Sequence, residues 1–224
     1  MSEYGSTSCG CTSDIKFQGL SRDYKARLWA VIALNASMFA VEMGGGVMAG
    51  SQALQADALD FLGDTLTYGM SLAVIGLSLR VRATAALIKA ATLALMGLWV
   101  FGATIWHAFV LGIPRAELMG LIGFLALAVN VASVLILLKY KDGDANVRSV
   151  WLCSRNDAIG NVAVMLAALG VWSTATGWPD VIVAAILASL FLNSASKILR
   201  QALDEWRTTG SVPLAKTPVH TPQP

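Results

Sequence analysis

The chain has 224 residues, of which 56% are hydrophobic and only 13% are charged. This composition is too apolar for a soluble domain of this length and is typical of a polytopic membrane protein. The formal net charge of +2 gives no basic excess of the kind that nucleic-acid binding requires, so we expect no nucleic-acid partner.

The first 27 residues are polar and lack the apolar core of a cleavable signal peptide, so we expect them to be retained as a cytoplasmic arm. This arm contains Cys9 and Cys11, two of the three cysteines in the chain. One such pair does not make a disulfide framework. It could instead collect a soft metal ion on the cytoplasmic side.

Six apolar segments are each long enough to cross a bilayer, which predicts an all-α membrane protein with six transmembrane helices. They cover residues 28–49, 53–79, 86–111, 117–138, 150–172 and 179–200. The connections after the first, third and fifth segments contain one basic residue, Arg115, of the 16 lysines and arginines in the chain. By the positive-inside rule the opposite face is cytoplasmic. We therefore expect both termini in the cytoplasm and the protein in the inner membrane of a bacterium.

The same pattern divides the chain into three parts. Residues 1–27 are the cytoplasmic arm, 28–206 form the six-helix transport domain, and 207–224 are a short disordered cytoplasmic tail. The tail is rich in proline and too short to fold by itself.

The second span carries three aspartates where a lipid-spanning helix should be apolar. Asp57, Asp60 and Asp64 follow an i, i+3, i+7 spacing that stacks them on one helical face. A charged carboxylate at the centre of a span costs about 2.5–3.5 kcal/mol on insertion scales. Because the spans contain almost no basic residue away from their ends, a bound cation is the expected compensator.

The fifth span carries a second polar stripe, in which Cys153, Asp157 and Asn161 recur every four residues. If the two stripes face each other, Asp60, Asp64, Asp157 and Cys153 converge on the four ligands that tetrahedral zinc favours. A lone buried cysteine often serves only as a small hydrophobic residue, so the role of the thiol stays open. Asn161 is expected beside the ligands or in a helix contact.

Three other residues have weaker signals. Glu42 in the first span is expected near a water-filled entrance. Asp57 is more consistent with a supporting carboxylate, a proton relay or a residue at the start of the helix than with a ligand. His107, near the end of the third span, is expected at the membrane interface. Close helix packing is expected where Gly46 and Gly50 form a Gly-xxx-Gly step.

The acids also suggest a mechanism. Carboxyl groups that are buried without a cation tend to hold protons, and they must lose those protons to bind a metal. Metal and protons therefore compete for one site. That competition is the minimal chemistry of a metal/proton antiporter.

The run from Asn35 to Asp64 resembles the first two spans of the cation diffusion facilitators, which share its acid followed by glycines, its Gly-Ser turn and its Ala-Asp-Ala step. The resemblance places Asp60 and Asp64 at ligand positions. It aligns Asp157 with the second acid of the fifth span and Cys153 with a position that is usually histidine. A thiolate there favours softer ions such as zinc or cadmium. The resemblance covers residues 28–206 and implies six helices, cytoplasmic termini and proton-coupled export of a divalent metal, with no cofactor other than the transported ion.

The chain departs from the family pattern in two ways. Members commonly carry a cytoplasmic metal-binding domain after the sixth span, where this chain has residues 207–224, and residues 139–149 contain no histidine. A homodimer is therefore compatible with the resemblance but not implied by it. Two alternatives to the transporter are a non-transporting soft-metal binder built on Cys9 and Cys11, and an intramembrane aspartyl enzyme. The enzyme is disfavoured because it needs one essential acid on each of two helices, whereas Asp60 and Asp64 stand four residues apart on one helix. The sequence leaves the ion open among zinc, cadmium, iron, cobalt and manganese.

Overall fold

The computed structural model describes residues 22–73, 79–110, 112–138 and 145–210, with side chains at all of these except 71, 79, 80, 82, 83, 145–156, 205 and 208–210. The described residues form six α-helices and no strand, which confirms the predicted all-α fold. The helices are α1 (Arg22–Ala49), α2 (Gln52–Ala73), α3 (Leu79–Phe109), α4 (Ala116–Leu137), α5 (Ala145–Thr174) and α6 (Trp178–Gly210).

Five of the six helices are long and apolar enough to cross a membrane. The qualifying stretches are Arg22–Ala49, Thr84–Phe109, Ala116–Leu137, Asp157–Thr174 and Trp178–Asp204. Among the described residues, α2 is the helix that does not qualify, and it carries the three stacked aspartates. The helix that carries three carboxylates in a membrane bundle therefore needs protection from lipid.

That protection comes from the position of α2 at the centre of the bundle. Within the described part of the chain, α2 contacts all five other helices, which follow one another around it in the order α1, α4, α5, α6, α3. Residues 51–59 of the α2 region are all buried. Asp57 and Asp64 are thus covered by other helices, and the five outer helices provide the lipid-facing surface.

The outer surface of the bundle is apolar. Trp99 on α3, Phe109 at the end of α3 and Trp172 on α5 are 71%, 83% and 74% exposed. Large exposed apolar side chains over several helices suit contact with lipid tails.

Three chain connections meet at one end of the bundle, which we name the connection end. The backbone N–H of Arg115, just before α4, donates to the carbonyl of Ala49 at 2.9 Å. A Cβ atom on Gly177, just before α6, would lie 2.7 Å from the carbonyl oxygen of Gly112. Helices α2, α4 and α6 therefore begin at this end, while α1, α3 and α5 finish there, so α2 and α5 are antiparallel.

The turn between α1 and α2 depends on its glycines. Gly50 has a φ of +70°, a conformation that side chains with a Cβ rarely adopt. A Cβ atom on Gly46 would lie 2.9 Å from Cγ of Gln55 in α2. Of the Gly-xxx-Gly step, Gly46 therefore makes the expected close approach, and Gly50 makes the turn.

Candidate functional site

Asp64 is held in place by donors from two helices. The Tyr68 hydroxyl, one turn later on α2, donates to Oδ2 of Asp64 at 2.7 Å. The side-chain amide of Asn35 on α1 donates to the same oxygen over a longer 3.4 Å. Asp64 is 8% exposed and its two neighbours are buried. Neither partner was predicted from the sequence, although Tyr68 stands at i+4 from Asp64, a spacing at which side chains on a helix meet.

The other predicted ligands are less enclosed. Asp60 and Asp157 are both partly exposed. Among the side chains that the structure describes, no three histidine, cysteine, aspartate or glutamate residues stand close enough to hold one ion. Cys153 lies within α5, but its side chain falls outside the described residues, as do Cys9 and Cys11 entirely. The four-residue set therefore stays a prediction.

Helices α2 and α5 pack directly against each other, as a site shared by their two polar stripes requires. One point of contact is Gly160, where an added Cβ atom would lie 3.0 Å from Oδ1 of Asp57. A glycine at this position leaves room for the carboxylate between the helices.

Glu42 and Asp57 form a buried pair of acids between α1 and α2. Glu42 is 0% exposed and Asp57 is 1% exposed, so the expected placement of Glu42 at an open entrance is wrong. Their carboxyl groups are close neighbours that interact electrostatically. No described donor reaches either oxygen of Glu42 or Oδ2 of Asp57. Because an ionised carboxylate can only accept, such a contact requires a shared proton or a cation.

Asn161 on α5 is also fully buried, and neither its amide oxygen nor its amide nitrogen has a hydrogen-bond partner among the described residues. Buried side-chain amides are normally paired, and an orphaned one calls for an explanation. Asn161 directly follows Gly160, the residue that abuts Asp57.

A fourth buried acid among the described side chains, Asp180, has the opposite environment. At the start of α6, its carboxylate accepts from the Ser51 hydroxyl at 2.6 Å and from the backbone N–H groups of Gln52 and Ala53 at 2.8 and 3.0 Å. These N–H groups open α2, so Asp180 caps that helix from a distant part of the chain. This cap was not predicted from the sequence, because Ser51 and Asp180 are 129 residues apart.

Two basic side chains, Lys89 and His107, also have defined neighbours. Lys89, counted in the sequence among the charges of the cytoplasmic face, is 7% exposed within the bundle. Its Nζ donates to the Thr67 hydroxyl at 2.9 Å. His107 lies in the last turn of α3 and is partly exposed, close enough to Asp180 for electrostatic attraction.

Residues 28–205 match the family model of the cation efflux transmembrane domain. The chain belongs to the cation efflux family. It is 29% identical over 198 residues to the zinc transporter ZitB of Yersinia pestis, covering 80% of this chain and 62% of that protein. It is 29% identical over 199 residues to the zinc transporter ZitB of Escherichia coli (strain K12), with coverage of 80% and 61%.

A further relative is the metal cation efflux system protein CzcD of Cupriavidus metallidurans, 26% identical over 185 residues, with coverage of 77% of this chain and 58% of the relative. The chain thus spans about three fifths of the length of these curated relatives. Together with the apolar helices, membership of the family confirms the prediction of a multi-pass integral protein of the bacterial inner membrane. The same membership speaks against the intramembrane aspartyl enzyme.

Proposed function

We propose that this cation efflux protein exports divalent transition metal ions from the cytoplasm in exchange for protons, with zinc as the first candidate. The ion binds between α2 and α5, and the ligands are Asp60, Asp64, Asp157 and Cys153. The observation that carries this proposal is the register of the two helices at Asp57 and Gly160.

Gly160 on α5 and the Asp57 carboxylate on α2 lie at the same level of the bundle, because they are in contact. Because the helices are antiparallel, moving one turn away from the connection end takes α2 from Asp57 to Asp60 and takes α5 from Gly160 to Asp157. Each step is three residues, or about 4.5 Å of rise. The next turn takes α2 to Asp64 and α5 to Cys153. The two predicted stripes therefore stand at matching levels.

The surroundings of Asp64 support a ligand role for it. Tyr68 and Asn35 both donate to Oδ2, and they fix the orientation of the carboxylate before an ion arrives. Such outer hydrogen bonds orient metal ligands and tune their affinity in proteins generally.

Zinc is the first candidate for two independent reasons. A set of three carboxylates and one thiolate suits zinc in number and in softness. Two of the relatives described above carry the name zinc transporter. The name of the CzcD relative, a metal cation efflux system protein, specifies no single metal, so other metals are also tested below.

Exchange for protons follows from the chemistry of these ligands. Carboxylates and thiols bind metal only after they lose their protons, so protons that enter from the far side displace the ion. By the positive-inside rule we take the side opposite the connection end as cytoplasmic, so the proposed direction is export.

The test is zinc flux in proteoliposomes under an imposed proton gradient. We expect Asp64→Ala and Asp157→Ala each to reduce flux to the level of protein-free vesicles, because each removes a charged ligand. Asp23→Asn is the matched control, since Asp23 is an exposed acid in an ion pair with Arg27. Flux at the wild-type rate in either ligand variant would show that the site is elsewhere.

The same vesicles test whether the Cys153 thiolate binds the ion and whether the N-terminal arm, residues 1–27, collects it. A panel of zinc, cadmium, cobalt, iron and manganese, measured with Cys153→Ala and Cys153→His, shows whether the thiolate binds and shifts selectivity. Replacing both Cys9 and Cys11 by Ser should weaken transport only at low metal if the arm collects ions. Tight binding by the arm without flux would favour the non-transporting metal binder instead.

A further inference from the structure

Glu42 and Asp57 lie outside the four-ligand set of the proposed transport site. They come from two different helices, and each is at most 1% exposed. Glu42 also lies near enough to Asp60 for electrostatic repulsion between the two acids. Glu42 on α1 is thus a neighbour of two acids of α2, Asp57 and Asp60.

The position of the pair along the bundle is informative. Asp57 stands one turn from Asp60 in the direction of the connection end, a distance of about 4.5 Å along the helix. The connection end is the predicted outer side. An ion that leaves Asp60 for the outside therefore reaches the Glu42 and Asp57 carboxylates next.

Several buried polar atoms of the pair lack described partners, as do those of Asn161, which follows Gly160 on α5. No described donor reaches either oxygen of Glu42 or Oδ2 of Asp57, and both amide atoms of the fully buried Asn161 are also unpaired. Buried acids inside a membrane bundle are expensive and usually mark an ion pathway. A shared proton joins one oxygen of each acid and leaves the remaining oxygens without a donor, whereas a divalent cation can bind several of them together.

We propose that Glu42 and Asp57 form a second binding position for the divalent cation, to which Asn161 on α5 offers a neutral oxygen. This inference rests on the proposed function, because the ion is the one that the Asp60 and Asp64 site delivers. Two carboxylates balance the charge of one divalent ion. All the metal-ligand atoms at this position are oxygens, which are harder ligands than a thiolate sulfur. The position therefore holds the ion more loosely than the transport site does, as the ion leaves.

The experiment measures radiolabelled zinc bound to the purified full-length chain by equilibrium dialysis. All proteins carry Cys9→Ser and Cys11→Ser, so that the arm does not contribute. We expect two zinc equivalents in this background and the loss of one in either of two double variants, Glu42→Gln with Asp57→Asn, or Asp60→Asn with Asp64→Asn. Glu117→Gln, at an exposed acid in the first turn of α4, is the matched control and should keep both.

The outcomes separate the two proposals. If Glu42→Gln with Asp57→Asn binds as much zinc as the background, the pair holds only a proton and the second position is wrong. If Asp60→Asn with Asp64→Asn keeps both equivalents, the error lies in the proposed transport site instead.

A second measurement covers the case in which the Glu42 and Asp57 variant does not fold. Cobalt is added to the Asp60→Asn with Asp64→Asn variant. We expect one bound cobalt ion with the weak visible absorption of oxygen ligands. No bound cobalt, or a strong thiolate-to-cobalt band, overturns the second position.

Discussion

Asp180 and the Glu42–Asp57 pair are equally buried acids in opposite surroundings. Asp180 is 1% exposed, and its carboxylate accepts three hydrogen bonds from Ser51, Gln52 and Ala53. Glu42 and Asp57 are as deeply buried, yet no described donor reaches three of their four oxygens. Burial alone therefore does not identify an ion site in this bundle. The number of hydrogen-bond donors that reach the carboxylate distinguishes an acid that stabilises the fold from one that we propose binds a cation.

The difference follows from where each acid meets the backbone. Asp180 faces the start of α2, where N–H groups have no partner within the helix and the helix dipole favours a negative charge. Glu42 and Asp57 face the middle of helices, whose N–H groups are already used along the helix. In the interior the remaining compensators are side chains, water, protons and metal ions.

The largest expected effect is on stability, from Asp180→Ala. This change leaves the Ser51 hydroxyl and two N–H groups of α2 without their acceptor, so we expect the free energy of unfolding to fall by about 2–4 kcal/mol. Denaturation of the purified protein in detergent micelles measures it. Ser51→Ala should cost less, and the double variant less than the sum of the two, because they share one network. A loss no greater than that from Asp23→Ala would refute the structural role.

Removing the Tyr68 hydroxyl should affect zinc binding more than stability. Tyr68→Phe takes away the donor that orients the Asp64 carboxylate, and outer partners of this kind are worth about tenfold or more in metal affinity. Calorimetric zinc titration measures the change. Tyr24→Phe is the control, since Tyr24 and Tyr68 are each 2% exposed. Equal affinity in Tyr68→Phe and wild type would mean that Asp64 needs no such support.

The pH dependence of zinc binding tests whether the acids of the proposed ion sites, unlike Asp180, exchange protons for metal. Metal and protons compete for the same carboxylates, so affinity should fall as the pH falls, by about tenfold per pH unit for each proton displaced. Titrations at several pH values measure the slope. Asp180→Asn should keep this slope, because its carboxylate is bound by fixed donors and does not exchange protons for metal. A zinc affinity independent of pH would contradict the competition on which proton exchange depends.

The smallest expected effect comes from filling the space between α2 and α5. Gly160→Ala places a Cβ atom 3.0 Å from Oδ1 of Asp57. Crowding of this kind costs about 1 kcal/mol, which corresponds to about fivefold in zinc affinity. Gly69→Ala is the matched control, because an added Cβ there meets no atom within 4 Å. If both variants bind zinc alike, the contact at Gly160 does not set the register of the site.

The sequence by itself determined the number of helices and most of their extent. A bilayer requires about 20 apolar residues in each span, so long apolar runs are hard to mistake. The ends were less predictable. Helix α1 begins at Arg22 and α6 continues to Gly210, beyond the apolar runs that start at 28 and end at 200. Helical hydrogen bonding does not stop where hydrophobicity stops, because polar residues continue a helix equally well.

The sequence also determined which faces of α2 and α5 are polar, since the helical period fixes which residues of one helix share a face. Only the tertiary structure decided which faces meet. That Glu42 lies against Asp57, that Gly160 opens room for a carboxylate, and that Asp180 caps a helix 127 to 129 residues away all depend on contacts between distant segments. Local periodicity carries no information about such contacts, because they arise when six helices pack so that buried polar atoms find partners or leave a place for an ion.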